Sequence, residues 1–139
     1  MNTSKATWIR HPRPIVTTLH SFSYEGKESL CVMFTLGEEG EFKLSAKADG
    51  EKSFDFLFLH TPNDYLIFDK KGIHGKLFTV DIDIPMEIES NIILKKEKEK
   101  LVFYDSNKQL IAISNPAFLG SASFGLEAKG NGKIYIEVF

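Results

Sequence analysis

The last third of the chain reads Leu101-Val-Phe-Tyr, Asp105-Ser-Asn-Lys, Gln109-Leu-Ile-Ala-Ile, then Ser123-Phe-Gly-Leu-Glu-Ala, Lys129-Gly-Asn-Gly and Lys133-Ile-Tyr-Ile-Glu-Val-Phe. Short apolar runs alternate here with clusters of Asn, Asp, Gly and Ser. Such runs are typical of strands, and the polar clusters between them are typical of tight turns. The stretch therefore predicts an antiparallel all-β domain, with a hairpin turn at Lys129-Gly-Asn-Gly.

The rest of the chain continues the pattern. Phe42, Leu44, Ala46 and Ala48 alternate with polar residues, which places them on one face of a strand. We interpret Ser90–Leu101 as strands rather than a Glu/Lys-rich helix, and Asp69–Gly75 as a loop between the two halves of the domain. About ten strands at this spacing predict a two-sheet antiparallel β-sandwich of the jelly-roll type.

Composition limits the classes of protein that remain. A chain of 139 residues is most simply one domain, 1–139, with 1–14 as an extended N-terminal arm because of Pro12 and Pro14. The 12 phenylalanines suit the space between two sheets, and Cys31, in an apolar run, is expected to be buried and inert.

Charge and hydropathy argue against a nucleic-acid-binding protein and against a membrane-spanning one. The net charge of −2 argues against a nucleic-acid partner, which requires a basic surface. Neither a signal-peptide run nor an apolar stretch of membrane-span length is seen, so we expect a cytoplasmic protein without a membrane partner.

Two stretches carry a resemblance to a known superfamily. Lys100-Leu-Val-Phe-Tyr-Asp-Ser-Asn-Lys-Gln-Leu-Ile and Gly120-Ser-Ala-Ser-Phe-Gly-Leu-Glu-Ala resemble the C-terminal strands of the concanavalin A-like, laminin-G-like jelly rolls. Lys133-Ile-Tyr-Ile-Glu-Val resembles the closing strand, which in such folds pairs back with the N-terminal segment. The resemblance implies a sugar-binding module or a glycosidase, by analogy of fold alone.

Six side chains are candidates for ligand binding: Trp8, Tyr65, His74, Asp81, Asp83 and Tyr104. Asp81 and Asp83 project from one face of a strand, where two carboxylates can bind Ca²⁺ or act as a glycosidase pair. A solvent-facing edge whose charges prevent strand pairing explains them as well. His74 is expected in a flexible loop, and Trp8 either stacks on a sugar or pins the N-terminal arm to the sheet.

Catalytic and cofactor motifs are missing from the sequence. Glu87-Ile-Glu89 does not match the paired-glutamate pattern of jelly-roll glycosidases, the histidines lack metal-ligand spacing, and no nucleophile elbow occurs. We therefore predict no catalytic residue, metal or cofactor.

The sequence favours a non-catalytic module that binds a carbohydrate or another polyhydroxylated ligand on a concave sheet. Two alternatives stay open. One is a small glycan-acting hydrolase that uses Asp81 or Asp83. The other is a structural subunit that forms a homodimer through its strand edges.

Overall fold

Two β-sheets that enclose a layer of aromatic rings make up the fold in a computed structural model. The structure describes residues 15–17, 21–27, 29–37, 39–88, 91–120 and 122–138. Trp8 and the predicted arm 1–14 lie outside the described residues. Within the described part, no helix is long and apolar enough to cross a lipid bilayer.

The described residues form thirteen strands and one short 3₁₀ helix at Pro116–Leu119. In chain order the strands are β1 (Ile15–Thr17), β2 (Ser21–Gly26), β3 (Leu30–Thr35), β4 (Glu39–Gly50), β5 (Ser53–Thr61), β6 (Asp64–Asp69), β7 (Gly72–Leu77), β8 (Val80–Pro85), β9 (Asn91–Glu97), β10 (Lys100–Asp105), β11 (Lys108–Ser114), β12 (Ser123–Lys129) and β13 (Gly132–Val138).

The seven-stranded sheet has the order β1-β3-β12-β5-β6-β7-β8, and the six-stranded sheet has the order β11-β10-β9-β4-β13-β2. Neighbouring strands are antiparallel except for β1 and β3, which run parallel. The chain changes sheets at seven connections, β1–β2, β2–β3, β3–β4, β4–β5, β8–β9, β11–β12 and β12–β13, so it winds around the core as in a jelly roll. The predicted all-β sandwich is confirmed, and β13 pairs with the N-terminal β2 as the resemblance implied.

The chain contains more strands than the ten or so that its sequence suggests. Gly72–Leu77 is a strand and not part of a loop, although it is rich in glycine and charge. Its glycines fit the sheet for a steric reason: a Cβ on Gly75 would lie 2.2 Å from the carbonyl oxygen of Tyr65. Close approach of two backbones therefore explains a composition that does not look like a strand.

The turn at Lys129-Gly-Asn-Gly also differs from its prediction. It joins β12 to β13, which belong to different sheets, so it is a corner of the sandwich and not a hairpin. The corner lies against the one between β4 and β5, where Glu51 N donates to Asn131 O at 2.9 Å. Lys52, in the β4–β5 corner, donates from its Nζ to Gly130 O at 2.7 Å in the β12–β13 corner and to Gly26 O at 3.0 Å at the end of β2.

Phenylalanine rings connect the two sheets through Phe103 of β10. Its ring centroid lies 5.4 Å from that of Phe58, 4.8 Å from that of Phe68 and 6.2 Å from that of Phe124, all in the seven-stranded sheet. Phe103 is fully buried, as are Phe58 and Phe68. These tilted and edge-to-face contacts add to the free energy gained by burying the rings.

We expect Phe103→Ala to lower the free energy of unfolding by about 3–5 kcal/mol, because it removes apolar contact with three rings and leaves a cavity. Urea unfolding followed by circular dichroism measures this change. Val102→Ala is the matched control, since Val102 precedes Phe103 and points to the opposite face of β10. Equal losses in the two variants would contradict the central role of Phe103.

A second apolar cluster lies on the other face of the seven-stranded sheet. It consists of Cys31, Met33 and Leu57, with Leu59 and Ile67 packed against it. Cys31 is fully buried, as the sequence predicted. Burial, and to a lesser degree the negative charge of Glu127, raise the pKa of the Cys31 thiol to about 12 from its ordinary value of 9.0. The thiol therefore stays protonated and unreactive at neutral pH.

The raised pKa of Cys31 predicts an alkaline loss of stability. Between pH 9.0 and 12 the thiol ionises in the unfolded chain but not in the folded one, which favours unfolding. The free energy of unfolding therefore keeps its full value below pH 9.0 and falls as the pH rises towards 12. The total fall in the free energy of unfolding over this pH range is roughly 4 kcal/mol. Unfolding free energies of the wild type and Cys31→Ala should show a flatter pH dependence for the variant between pH 9 and 12. Parallel curves would contradict this.

Candidate functional site

Four of the predicted ligand-binding residues share the outer face of the seven-stranded sheet. Strand register places Tyr65 beside Lys76 and Lys76 beside Asp81. In the next row, His74 lies beside Asp83. These side chains alternate with the core residues of β6, β7 and β8, so they lie on the face of the sheet opposite the phenylalanine core.

His74 lies between two carboxylates. Its Nδ1 is 3.1 Å from Asp83 Oδ1, and its Nε2 is 3.1 Å from Asp69 Oδ1. Each ring nitrogen therefore faces a carboxylate oxygen within hydrogen-bond distance. We call Asp69, His74 and Asp83 the histidine cluster.

Asp69 belongs to the turn between β6 and β7 as well as to the histidine cluster. Its Oδ1 also accepts hydrogen bonds from Lys71 N at 2.8 Å and Gly72 N at 3.1 Å. The carboxylate therefore fixes the turn and holds the His74 ring at the same time. This explains why His74 lies in an ordered hairpin strand and not in the flexible loop expected from its sequence.

The other candidates do not complete this surface. Tyr65 is buried, and burial together with the charge of Asp81 raises the pKa of its phenol. Its ring therefore offers no open face for stacking. Tyr104 lies on the outer face of the six-stranded sheet, where Lys95 Nζ is 5.2 Å from its ring centroid, so the structure does not bring it to the histidine cluster.

The described residues also enclose a cleft of about 540 Å³ next to the histidine cluster. Phe54, Phe56, Phe68 and Ile88 form its apolar wall, and Ser45–Ala48 of β4 form the opposite side. Ser53, Asp69, Lys70 and Asn91 add polar groups, while Lys52 lies in the wall. Because Asp69 lines the cleft and bonds to His74, the two surfaces adjoin.

Strand lengths and side-chain sizes create this cleft. The pairing of β4 with β9 stops at Ser45 and Asn91, whereas β4 continues to Gly50 along β13. Beyond Ser45 the inward side chains of β4 are Ala46 and Ala48, which follow the larger Phe42 and Leu44. Space is therefore left between β4 and the phenylalanine rings of the opposite sheet.

Sequence reasoning missed the cleft, although one signal was present. The inward side chains of β4 decrease in size from Phe42 to Ala48, and such a taper marks where a core thins. The sequence could not show that β9 begins opposite Ser45, because strand register depends on partners that are distant in the chain.

The groups that a metal ion would need do not converge here. Among the residues that the structure describes, no three His, Cys, Asp or Glu side chains are arranged to hold a cation. Asp81 and Asp83 do lie on one face, as predicted, and β8 is an edge strand. The side chain of Asp83 is 80 % exposed.

Comparison with known proteins gave no match to a family model and none to a curated protein. Among solved structures, the chain is similar to the laminarinase catalytic domain from Thermotoga maritima, with 13 % identity, a TM-score of 0.48 and coverage of 90 % of this chain and 82 % of the other. It is also similar to the carbohydrate-binding module CBM66 from Bacillus subtilis, with 9 % identity, a TM-score of 0.45 and coverage of 87 % and 81 %.

The PSpry domain of TRIM65 is similar with 9 % identity and a TM-score of 0.45. The match covers 75 % of this chain and 65 % of that domain, so this chain spans just under two thirds of its length. The two-sheet sandwich implied by the resemblance is present in this chain, and membership of the concanavalin A-like superfamily stays a prediction.

The histidine cluster predicts unequal roles for its two carboxylates. Asp69→Ala should lower the free energy of unfolding by about 1–3 kcal/mol, because two backbone N–H groups and the imidazole lose their acceptor. Asp83→Ala should cost less than about 1 kcal/mol, because its carboxylate is exposed. Chemical denaturation measures both values, and a larger loss for Asp83→Ala would contradict this assignment.

Proposed function

We propose that the protein is a non-catalytic binding module for a carbohydrate or a similar polyhydroxylated ligand, which it holds in the cleft. The observation that carries this proposal is the pairing of an aromatic wall with polar groups across a space of about 540 Å³. This volume lies in the usual range for small-molecule sites.

The chemistry of the two walls suits a sugar. The half-buried Phe54 offers an apolar ring for the C–H face of a pyranose or furanose ring. Beyond Ser45, β4 pairs with no described strand on its β9 side, so backbone N–H and C=O groups of this strand can donate and accept hydrogen bonds at the cleft. A ligand with one apolar face and many hydroxyls satisfies both walls, whereas a purely apolar ligand would leave these polar groups unpaired.

Geometry supports binding better than hydrolysis. A glycosidase requires two carboxyl groups that flank the scissile bond. Asp81 and Asp83 project from an edge strand, outside the residues that line the cleft, and Asp83 is engaged by His74. The histidine cluster is better suited to supporting the cleft margin through Asp69.

Ala48→Leu tests the proposal, because a larger inward side chain would fill the cleft without replacing any polar group. We expect isothermal titration calorimetry with sugars chosen from a glycan array to show at least a tenfold loss of affinity. Ala112→Leu is the matched control, since Ala112 is exposed on β11 of the same sheet.

Unfolding curves for both variants establish that each remains folded. Unchanged affinity in Ala48→Leu, or the absence of any bound sugar across the array, would overturn the proposal. Equal losses in the two leucine variants would also count against it, because Ala112 does not line the cleft.

A further inference from the structure

The apolar cluster on the outer face of the seven-stranded sheet is buried, although it lies on the side of the sheet that faces away from the core. Cys31, Met33 and Leu57 are at most 1 % exposed. Among the described residues, the apolar groups that pack against them, Leu59 and Ile67, belong to the same sheet face. Such burial requires cover from residues outside the described ranges.

The centre of this face is a pit, which we define by Met33, Gly125 and Leu57. These three residues lie side by side in one row across β3, β12 and β5. A Cβ on Gly125 would clash with Val32 O, so the close approach of β3 excludes any larger residue there. Two long apolar side chains thus flank a position without a side chain, and one large ring would bury both of them.

A buried carboxylate borders the pit. Glu127 lies next to Cys31 in register and is 2 % exposed, and its Oε1 accepts no hydrogen bond within the described residues. Lys129 Nζ is 3.5 Å from this oxygen, but it lies closer to Asp55 Oδ2, to which it donates at 3.1 Å. One ammonium group thus serves two carboxylates. Because a buried charge without full compensation is costly, this position favours a second cation.

Residues 1–14, which we call the basic segment, are the stretch long enough to supply the cover. The other stretches outside the described ranges are at most three residues long. The basic segment includes Trp8, the only tryptophan of the chain, whose ring is large enough to fill the pit. Length and side-chain size therefore both select this segment as the occupant.

Charge also matches the basic segment to this face. The segment contains Lys5, Arg10 and Arg13 and neither Asp nor Glu. Among the described residues, the outer face carries more carboxylates than ammonium groups, namely Asp55, Asp69, Asp81, Asp83 and Glu127 against Lys76 and Lys129. Opposite charges therefore attract the segment to this side of the sheet.

The point where the basic segment joins the fold is close to the pit. β1 lies at the edge of the sheet beside β3, and Ile15 pairs with Val32, one residue past Cys31. Because β1 and β3 run parallel, the chain enters β1 from the level of the row that holds Cys31 and Glu127. The pit on β12 is two strand spacings from β1, or about 10 Å. The seven residues before Ile15 can span about 23 Å when extended.

We propose that the basic segment crosses the outer face of the seven-stranded sheet, with the Trp8 ring in the pit and the Arg10 guanidinium paired with Glu127. The segment then closes this face to a second copy of the chain, and the Trp8 ring is not available to stack on a sugar. The inference does not depend on the proposed function, because the sugar cleft lies between the two sheets and not on this face.

The spacing of the side chains supports this placement. In an extended chain, residues two apart face the same side, so Trp8 and Arg10 can both face the sheet while Arg13 faces away. Pro12 and Pro14 favour an extended backbone in this part of the segment. The ring and the cation can therefore reach the pit and the neighbouring carboxylate together.

Nuclear Overhauser effects in the full chain test the position of the ring. Trp8 is the only tryptophan, so its indole signals are unambiguous, and Met33→Leu identifies the Met33 methyl signal. We expect cross-peaks between the indole protons and the Met33 methyl group within one molecule. A mixture of labelled and unlabelled chains separates contacts within a molecule from contacts between molecules. Absence of these cross-peaks, or their appearance only between two molecules, would overturn the proposal.

Reaction of Cys31 with an aromatic disulfide reagent reports loss of the cover. We expect Trp8→Ala to raise the labelling rate about tenfold, because the pit beside the thiol opens without global unfolding. Thr7→Ala is the matched control, since Thr7 faces the opposite side of an extended segment from Trp8, and it should keep the wild-type rate. Ile134→Ala weakens the core from the other sheet and controls for global unfolding.

The rates are compared at urea concentrations that give each variant the same free energy of unfolding. Under these conditions Trp8→Ala should still react faster than Ile134→Ala. Equal rates would show that Trp8 protects Cys31 only through overall stability, and the proposed contact would be wrong.

The arginine contact has its own test, because Arg10→Gln and Arg13→Gln remove the same charge. Arg10→Gln should raise the labelling rate of Cys31 several-fold, whereas Arg13→Gln should leave it unchanged. In a Glu127→Gln background, Arg10→Gln should have no further effect. Equal effects of the two arginine variants would refute the pairing even if Glu127→Gln does not fold, and so would an effect of Arg10→Gln that persists in that background.

Discussion

The insertion of Phe103 among the rings of the opposite sheet is the contact on which the rest of this structure depends. Two sheets joined only at their corners would be free to slide, and a single ring that meets Phe58, Phe68 and Phe124 fixes their separation and offset. Phenylalanine side chains are large enough to span the gap between two sheets, and they have no polar group to satisfy. The cleft is the place where this aromatic layer faces alanine in place of another large side chain.

The corner regions set the other boundary of the cleft. Lys52 leaves solvent to donate to carbonyl groups from two distant parts of the chain, which compensates for the burial of its ammonium group. In the corner between β12 and β13, the surroundings require glycine at position 130. Gly130 has a φ of 87°, and a Cβ there would lie 2.6 Å from Glu51 O. These hydrogen bonds and close backbone contacts tie the two corners together at the end of the sandwich that borders the cleft.

Asp69, on the polar face of the seven-stranded sheet, serves three purposes. Asp69 closes the turn between β6 and β7, orients His74 and lines the cleft. His74 in turn reaches Asp83 on the edge strand, so a row of side chains connects the margin of the cleft with the edge of the sheet. Such a row can stabilise the hairpins around a binding site without itself contacting the ligand.

The alternation of apolar and polar residues in the sequence determined most of the strands, the phenylalanine core, the buried Cys31 and the common face of Asp81 and Asp83. These features depend on neighbours along the chain, because the side chains of a strand alternate with a period of two. Only the tertiary structure decided that Lys129-Gly-Asn-Gly turns a corner, that Gly72–Leu77 is a strand, and that Tyr104 lies away from His74. The cleft was decided in the same way, because it forms where the pairing of β4 with β9 ends, and the extent of pairing is set by contacts between residues far apart in sequence.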